Sequence, residues 1–158
     1  MPHIQGRLYL SSVDEIARDL GGPGQLGGII ERVISLGADS SPEVDSVYAA
    51  LVALTAGAVT LDLTALVRTG LPNLTLSTKT VYGYAIENRG ANAMTFTQGA
   101  ADGYAMFTTG GVVIGGGGIA FQYSPTGFGA VGAGDTDVDV AGTGTQQFAI
   151  ILWAGAAA

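Results

Sequence analysis

Cysteine is absent from the 158 residues. That excludes disulfides, thiolate nucleophiles and cysteine-ligated zinc together, and it suits a chain assembled in a reducing cytoplasm. Cations are scarce: Lys+Arg number 6 against 13 Asp+Glu, a net charge of −7. Arg7, Arg18, Arg32, Arg68, Lys79 and Arg89 stand singly along the chain. No basic stripe is available to displace phosphate counterions, so nucleic acid is not an expected partner. Histidine occurs once, as His3, in a terminal segment where chains are poorly held. A triad base needs an imidazole fixed by packing, so His3 reads as a surface residue and histidine-based catalysis is not expected. The chain opens with no basic segment leading into an apolar run, and its longest apolar stretch, around Tyr48 to Val59, is too short to span a bilayer. Neither a membrane partner nor export by the usual route is expected.

Charge of either sign is also low. Charged residues make up 12% and hydrophobic residues 47%, with a mean hydropathy of +0.40, whereas ordinary soluble domains are about a quarter charged. Small Ala and Gly side chains raise the same score. Still, so little ionic surface leaves a solitary monomer poorly covered, and the expectation is that some apolar surface is buried against other subunits.

What the chain has in quantity is glycine, 26 residues that punctuate short apolar runs. Val59 to Leu66 alternates apolar and polar residues with period two, and Leu74 to Thr78 does the same. Lys79 to Asn88 is rich in β-branched and aromatic residues. Met94–Thr97, Val112–Ile114, Ile119–Tyr123, Val138–Val140 and Phe148–Trp153 continue the series of predicted strands. Turns are expected at Arg89–Asn92, Thr109–Gly111, Gly115–Gly118, Ser124–Gly127 and Ala141–Gly144. Closely spaced strands without intervening helical patterns predict an antiparallel sandwich or barrel. Gln147 to Ala154 is almost continuously apolar, which predicts a central strand covered on both faces. Ser12 to Leu20 has an N-cap serine and apolar positions at helical spacing, so a short helix is expected there, stopped by Gly21-Gly-Pro-Gly24. Ile29 to Leu36 and Val44 to Leu54 fit helix or strand equally by periodicity. The expected division is an N-terminal arm or short helix over 1–27 and a sandwich over 28–158.

The motifs that resemble chemistry lack its context. Gly127-Phe-Gly129-Ala-Val-Gly132 has dinucleotide-binding glycine spacing. That motif needs a helix whose N-terminus holds the pyrophosphate, and a strand-like alternation follows instead. Gly115 to Gly118 lacks the Lys-Ser/Thr of a phosphate loop; it reads as a turn or a close backbone approach. Asp135, Asp137 and Asp139 alternate and would share a strand face. Val140 and Gln146, however, stand where a calcium loop needs glycine and glutamate, so a solvated face is the reading preferred over calcium. Nothing singles out a carboxylate pair for glycoside hydrolysis. Asn73-Leu74-Thr75 is a formal glycosylation sequon, read as coincidence without a secretion signal. The aromatics Tyr82, Tyr84, Phe96, Tyr104, Phe107, Phe121, Tyr123, Phe128, Phe148 and Trp153 fall mostly in predicted strands and read as core packing. No catalytic, cofactor-binding or metal residue is assigned, and no enzyme activity or cofactor is expected.

The ordered series Val44–Tyr48, Leu54–Gly57, Leu61–Leu66, Val81–Asn88, Gly99–Gly103, Gly111–Val113, Pro125–Gly127, Gly134–Asp135 and Phe148–Ile151 resembles small structural proteins of tailed bacteriophages. The resemblance runs from about Gly28 to Gly155 and lies in spacing and in Gly, Ala and Thr content. It implies a jelly-roll-like β-sandwich acting as a capsid decoration or cement subunit, often trimeric, with Ile29–Leu36 and Val44–Leu54 as strands. Ser12 to Leu20 departs from that family's strand-like opening; these residues would serve as an arm docking on a neighbour. The resemblance implies as partners the chain itself and the major capsid protein or other virion proteins, and as location a virion assembled in the host cytoplasm. A receptor- or glycan-binding fibre or tail module is the alternative.

Overall fold

Antiparallel strand pairs make up the regular structure of the chain in the computed structural model, which describes residues 4–6, 34–36, 44–68, 71–108 and 110–156. No described residue is helical. Strands β1 (Ile4–Gly6) and β2 (Ile34–Leu36) form a two-stranded ladder of their own, Ile4 opposite Leu36. The described end of the Ile29–Leu36 segment is therefore strand. The expected helix at Ser12–Leu20, the boundary at 27/28 and His3 lie outside the described residues.

The remaining strands are β3 (Ser46–Ala53), β4 (Ala58–Asp62), β5 (Lys79–Asn88), β6 (Met94–Gln98), β7 (Val112–Ile114), β8 (Ile119–Tyr123), β9 (Asp137–Ala141) and β10 (Gln147–Ala156). Their pairing is nested along the chain: β3 with β10, β4 with β9, β5 with β8, and β6 with β7. Further pairs, β10 with β5 and β6 with β9, join these into two four-stranded antiparallel sheets, β3-β10-β5-β8 and β4-β9-β6-β7. The protein is an all-β sandwich.

Period-two alternation explains why the sheets stack. Tyr48, Ile86, Phe148, Ile150 and Leu152 point inward from one sheet, and Leu61, Met94, Phe96, Val138 and Val140 from the other, all buried in one core. Phe96 and Phe148 meet across the sheets with ring centroids 5.1 Å apart and nearly perpendicular planes. Phe107 sits beside both Tyr84 (4.9 Å) and Phe96 (5.9 Å). Each fully buried Leu, Ile or Phe of this kind contributes about 1.5–3 kcal/mol of hydrophobic stabilisation.

Buried polar groups are satisfied locally. The Asn88 amide group, wholly buried, donates from Nδ2 to the carbonyls of Asn92 (2.8 Å), Ile114 (2.9 Å) and Gly115 (3.1 Å). Its Oδ1 accepts from the Gly90 amide (2.8 Å). One side chain thereby fastens the end of β5 to the β5–β6 turn and to β7. The buried Tyr104 hydroxyl donates to the Gly129 carbonyl (2.6 Å) and accepts from the Val81 amide (3.2 Å). Burial pushes its pKa up to about 12 despite the Val81 bond, with the Asp135 charge adding to the rise.

Two predicted strands are corrected. The expected strand over Val59–Leu66 stops at Asp62, whose carboxylate accepts from the Thr64 amide (2.8 Å) and hydroxyl (2.6 Å) and so turns the chain. Leu74 to Thr78 is not a strand but part of the loop that follows. Leu74 makes only an isolated bridge to Leu66, and Leu76 donates its amide to Leu63. The alternation there arises because Leu63, Leu66 and Leu76 drop from this loop into the core.

Candidate functional site

The outer side of β3-β10-β5-β8 is where the structure departs most from the sequence expectation. Strand β10 is central, as predicted, but only one of its faces is covered. Phe148, Ile150, Leu152 and Ala154 are buried, while Ile151 is 38% exposed and Ala149 and Trp153 are half-buried. Against the expectation of cover on both faces, the second apolar face has no cover among the described residues.

Register assembles that face into rows. Val47, Trp153, Gly83 and Tyr123 lie side by side across the four strands. Ala49, Ile151, Ala85 and Phe121 form the next row, followed by Leu51, Ala149, Glu87 and Ile119. Leu51, Ile119 and Phe121 are exposed by 53%, 73% and 41%. Phe121 and Trp153 touch in an edge-on arrangement, centroids 5.8 Å apart, so the expectation that the aromatics serve the core fails for this pair. At strand spacings of about 4.8 Å and about 6.8 Å between rows, the face covers roughly 400 Å². Patches of this size on a monomer are often functional.

Only one charged side chain enters these rows. Glu87 stands at the edge of the face and accepts from Arg89 Nε at 2.8 Å. Lys79 pairs with Asp45 at 2.7 Å. Partial burial acts to raise the Asp45 pKa, but its bonds from Lys79 and Ser46 outweigh this and hold it below the usual carboxylate range.

The opposite outer face, on β4-β9-β6-β7, is polar. Asp62 lies opposite Asp137, and Thr60, Asp139 and Thr97 form a row. Asp139 accepts from the Thr60 hydroxyl (2.6 Å) and the Ala100 amide (2.9 Å). Asp135 precedes β9 in a turn, so the three-aspartate strand face of the sequence reading reduces to Asp137 and Asp139. Among the described residues, no group of three or more His, Asp or Glu side chains converges as a metal site would require.

The glycine motifs are structural. Gly127, Gly129 and Gly132 lie in the β8–β9 loop, which packs along the start of β5 through bonds from Phe128 to Val81 and from Val131 to Lys79; β9 follows, and no helix. Gly115 to Gly118 turns the chain between β7 and β8, and a Cβ on Gly116 would collide with the Ala91 carbonyl. Both the turn and the close backbone approach are present.

The outward apolar residues had a signal in the sequence. FAIILW, from Phe148 to Trp153, is apolar on both alternations, and so, but for Gln122, is IAFQY. That pattern says both faces avoid water; whether the second cover comes from the same chain is not written in it. Compared with known proteins, the chain matches no family model, no curated protein and no solved structure.

Proposed function

We propose that the chain is a non-enzymatic structural protein of a virion, a capsid decoration subunit that binds the capsid lattice and associates with itself. The observation that carries the reading is the apolar outer face of β3-β10-β5-β8, with Glu87 as its one charged side chain, set against a threonine- and aspartate-lined face on the other sheet. A sandwich with one face avoiding water and one seeking it is suited to sit on a surface and point outward. The nested strand order supports a jelly-roll reading, an architecture common in capsid and lectin domains. The sequence resemblance to tailed-phage structural proteins points the same way. Each contact is small, and many copies on a lattice make it strong through avidity.

A glycan-binding module is less well supported. Sugar and small-molecule sites combine aromatic rings with a few converging polar groups, whereas Phe121 and Trp153 sit among Ile, Leu and Ala on the middle of a sheet. Quantitative mass spectrometry of purified particles from the phage that encodes the chain tests the proposal. A copy number in a fixed ratio to the major capsid protein is expected; absence from washed particles overturns it.

A further inference from the structure

We propose that the chain dimerises through the outer edge of β3, which pairs antiparallel with the partner subunit's β3 about a twofold axis at Ala50. The pairing rests on the reading of the chain as a self-associating subunit and names the surface it uses.

Main-chain direction carries the inference. Leu54 donates its amide to the Gln146 carbonyl (2.8 Å), continuing the register that sets Ala53 opposite Gln147. Hydrogen-bonded pairs alternate along an antiparallel ladder. Tyr48, Ala50 and Val52 therefore turn N–H and C=O toward β10, while Val47, Ala49, Leu51 and Ala53 turn theirs away from the sheet. Strand β3 is the last of its sheet, and these four residues have no main-chain partner among the described residues. Ala49, Leu51 and Ala53 are exposed.

This edge is also the one left without a guard. Strands that end a sheet are normally kept short, charged or bulged so that other chains do not add to them. Strand β4 carries Asp62, β7 has only three residues, and β8 holds Gln122 on its core-facing side, bonded to the Tyr84 hydroxyl (2.9 Å). Strand β3 runs for eight residues, SVYAALVA, with no charge, no proline and no break in register.

Only extended main chain can satisfy such an edge, and a second β3 does so in full. Centred on Ala50, Val47 meets the partner subunit's Ala53, and Ala49 the partner's Leu51. The symmetry repeats both, so all four outward residues of each copy are paired. A hydrogen-bonded pair exchanges two bonds, and the four pairs make eight. A shift by two residues leaves Ala53 opposite Asp45 or Val47 beyond the strand, and a shift by one sets outward groups against inward ones. Large side chains fall beside small ones, and Ala50 and Val52, which pack on the core but stay half-buried, gain cover. Charge agrees: Asp45, already held by Lys79, comes opposite the uncharged Thr55. The copy's strand is moreover fixed in advance by β10, so little chain entropy is lost on pairing, unlike that of a free peptide. The axis stands perpendicular to the sheet. Both apolar outer faces then look to the same side and join through Val47, Ala49 and Leu51.

Sedimentation of the full chain from about 10 µM to about 1 mM tests the pairing. Wild type is expected to pass from monomer to dimer. Ala49→Pro removes one outward N–H and sets a ring in the path of the arriving strand, yet spares the β3–β10 ladder. It should weaken association by more than about tenfold, while Phe121→Glu, on the opposite edge strand, dimerises like wild type. If Ala49→Pro fails to fold by circular dichroism, amide hydrogen exchange of wild type decides. The amides of Val47, Ala49, Leu51 and Ala53 should exchange quickly in the monomer and become protected in the dimer, with Tyr48, Ala50 and Val52 protected in both. Protection of all seven in the monomer would show the edge covered by the chain's own residues and overturn the proposal. A trimer, or a dimer lost in Phe121→Glu but kept in Ala49→Pro, overturns it in favour of another surface. A strict monomer overturns it too, and particle composition then decides the virion reading separately.

Discussion

Phe121 on β8 and Trp153 on β10 meet on the outer side of their sheet, ring centroids 5.8 Å apart and planes at 68°, across the intervening strand β5. Nothing but Gly83 and Ala85 separates them on that strand. The pair makes the largest apolar feature of the face, and Trp153 is the single tryptophan of the chain.

Tryptophan emission therefore reports the face directly. The expected result is a shift to shorter wavelength as the chain binds particles, because Trp153 leaves water when the face is covered, and no such shift in Phe121→Glu. Emission from bound wild type that matches the free chain contradicts burial of this face.

Gly83 makes the close approach possible. A Cβ there would lie 3.1 Å from Trp153 Cε3 and 3.0 Å from the Gln122 carbonyl. Gly83→Ala should lower stability by about 1–2 kcal/mol, as overpacking does, measured by urea unfolding. An unchanged midpoint would show that β8 and the indole yield without cost.

Asn88 is the polar counterpart of the core. Asn88→Ala leaves the carbonyls of Ile114 and Gly115 and the Gly90 amide without their side-chain partner, and should cost about 3 kcal/mol. Asn88→Asp should be nearly as harmful, since a carboxylate cannot donate to three carbonyls. Equal unfolding midpoints for wild type and Asn88→Asp would contradict the assigned donor role.

Tyr104 sets an alkaline limit. Its pKa is about 12 in the folded protein against 10.0 ordinarily, so below pH 10 both states keep the proton and stability is unaffected. Between pH 10 and 12 the unfolded chain loses the proton first, and stability falls. The melting temperature should drop through this window, and the drop should be shallower in Tyr104→Phe. Burial also raises Tyr48 and Tyr84, so part of the slope remains.

Much of the sandwich was legible in local pattern. Lys79–Asn88, Val112–Ile114 and Ile119–Tyr123 are strands with the boundaries that β-branched and glycine punctuation indicated. Two loop segments misled because alternation is a property of which side chains face the core, not of strand pairing. Leu74 and Leu76 alternate inward from a loop, and Asp62 ends β4 through its own carboxylate. The apolar face was half legible. Composition called for apolar surface buried against other subunits, and the apolar run of β10 called for cover on both faces, without saying what supplies it. Only the register that aligns Trp153 with Gly83, and Ile151 with Ala85, reveals a continuous outward patch.

Hydroxyl-radical footprinting of the chain, free in dilute solution and assembled on the virion, tests the central claim most directly. Phe121, Ile151 and Trp153 should lose most of their oxidation on assembly while Val113, on the other sheet, keeps its own. Equal oxidation of Phe121 and Trp153 in both states would contradict the assignment of this face to assembly.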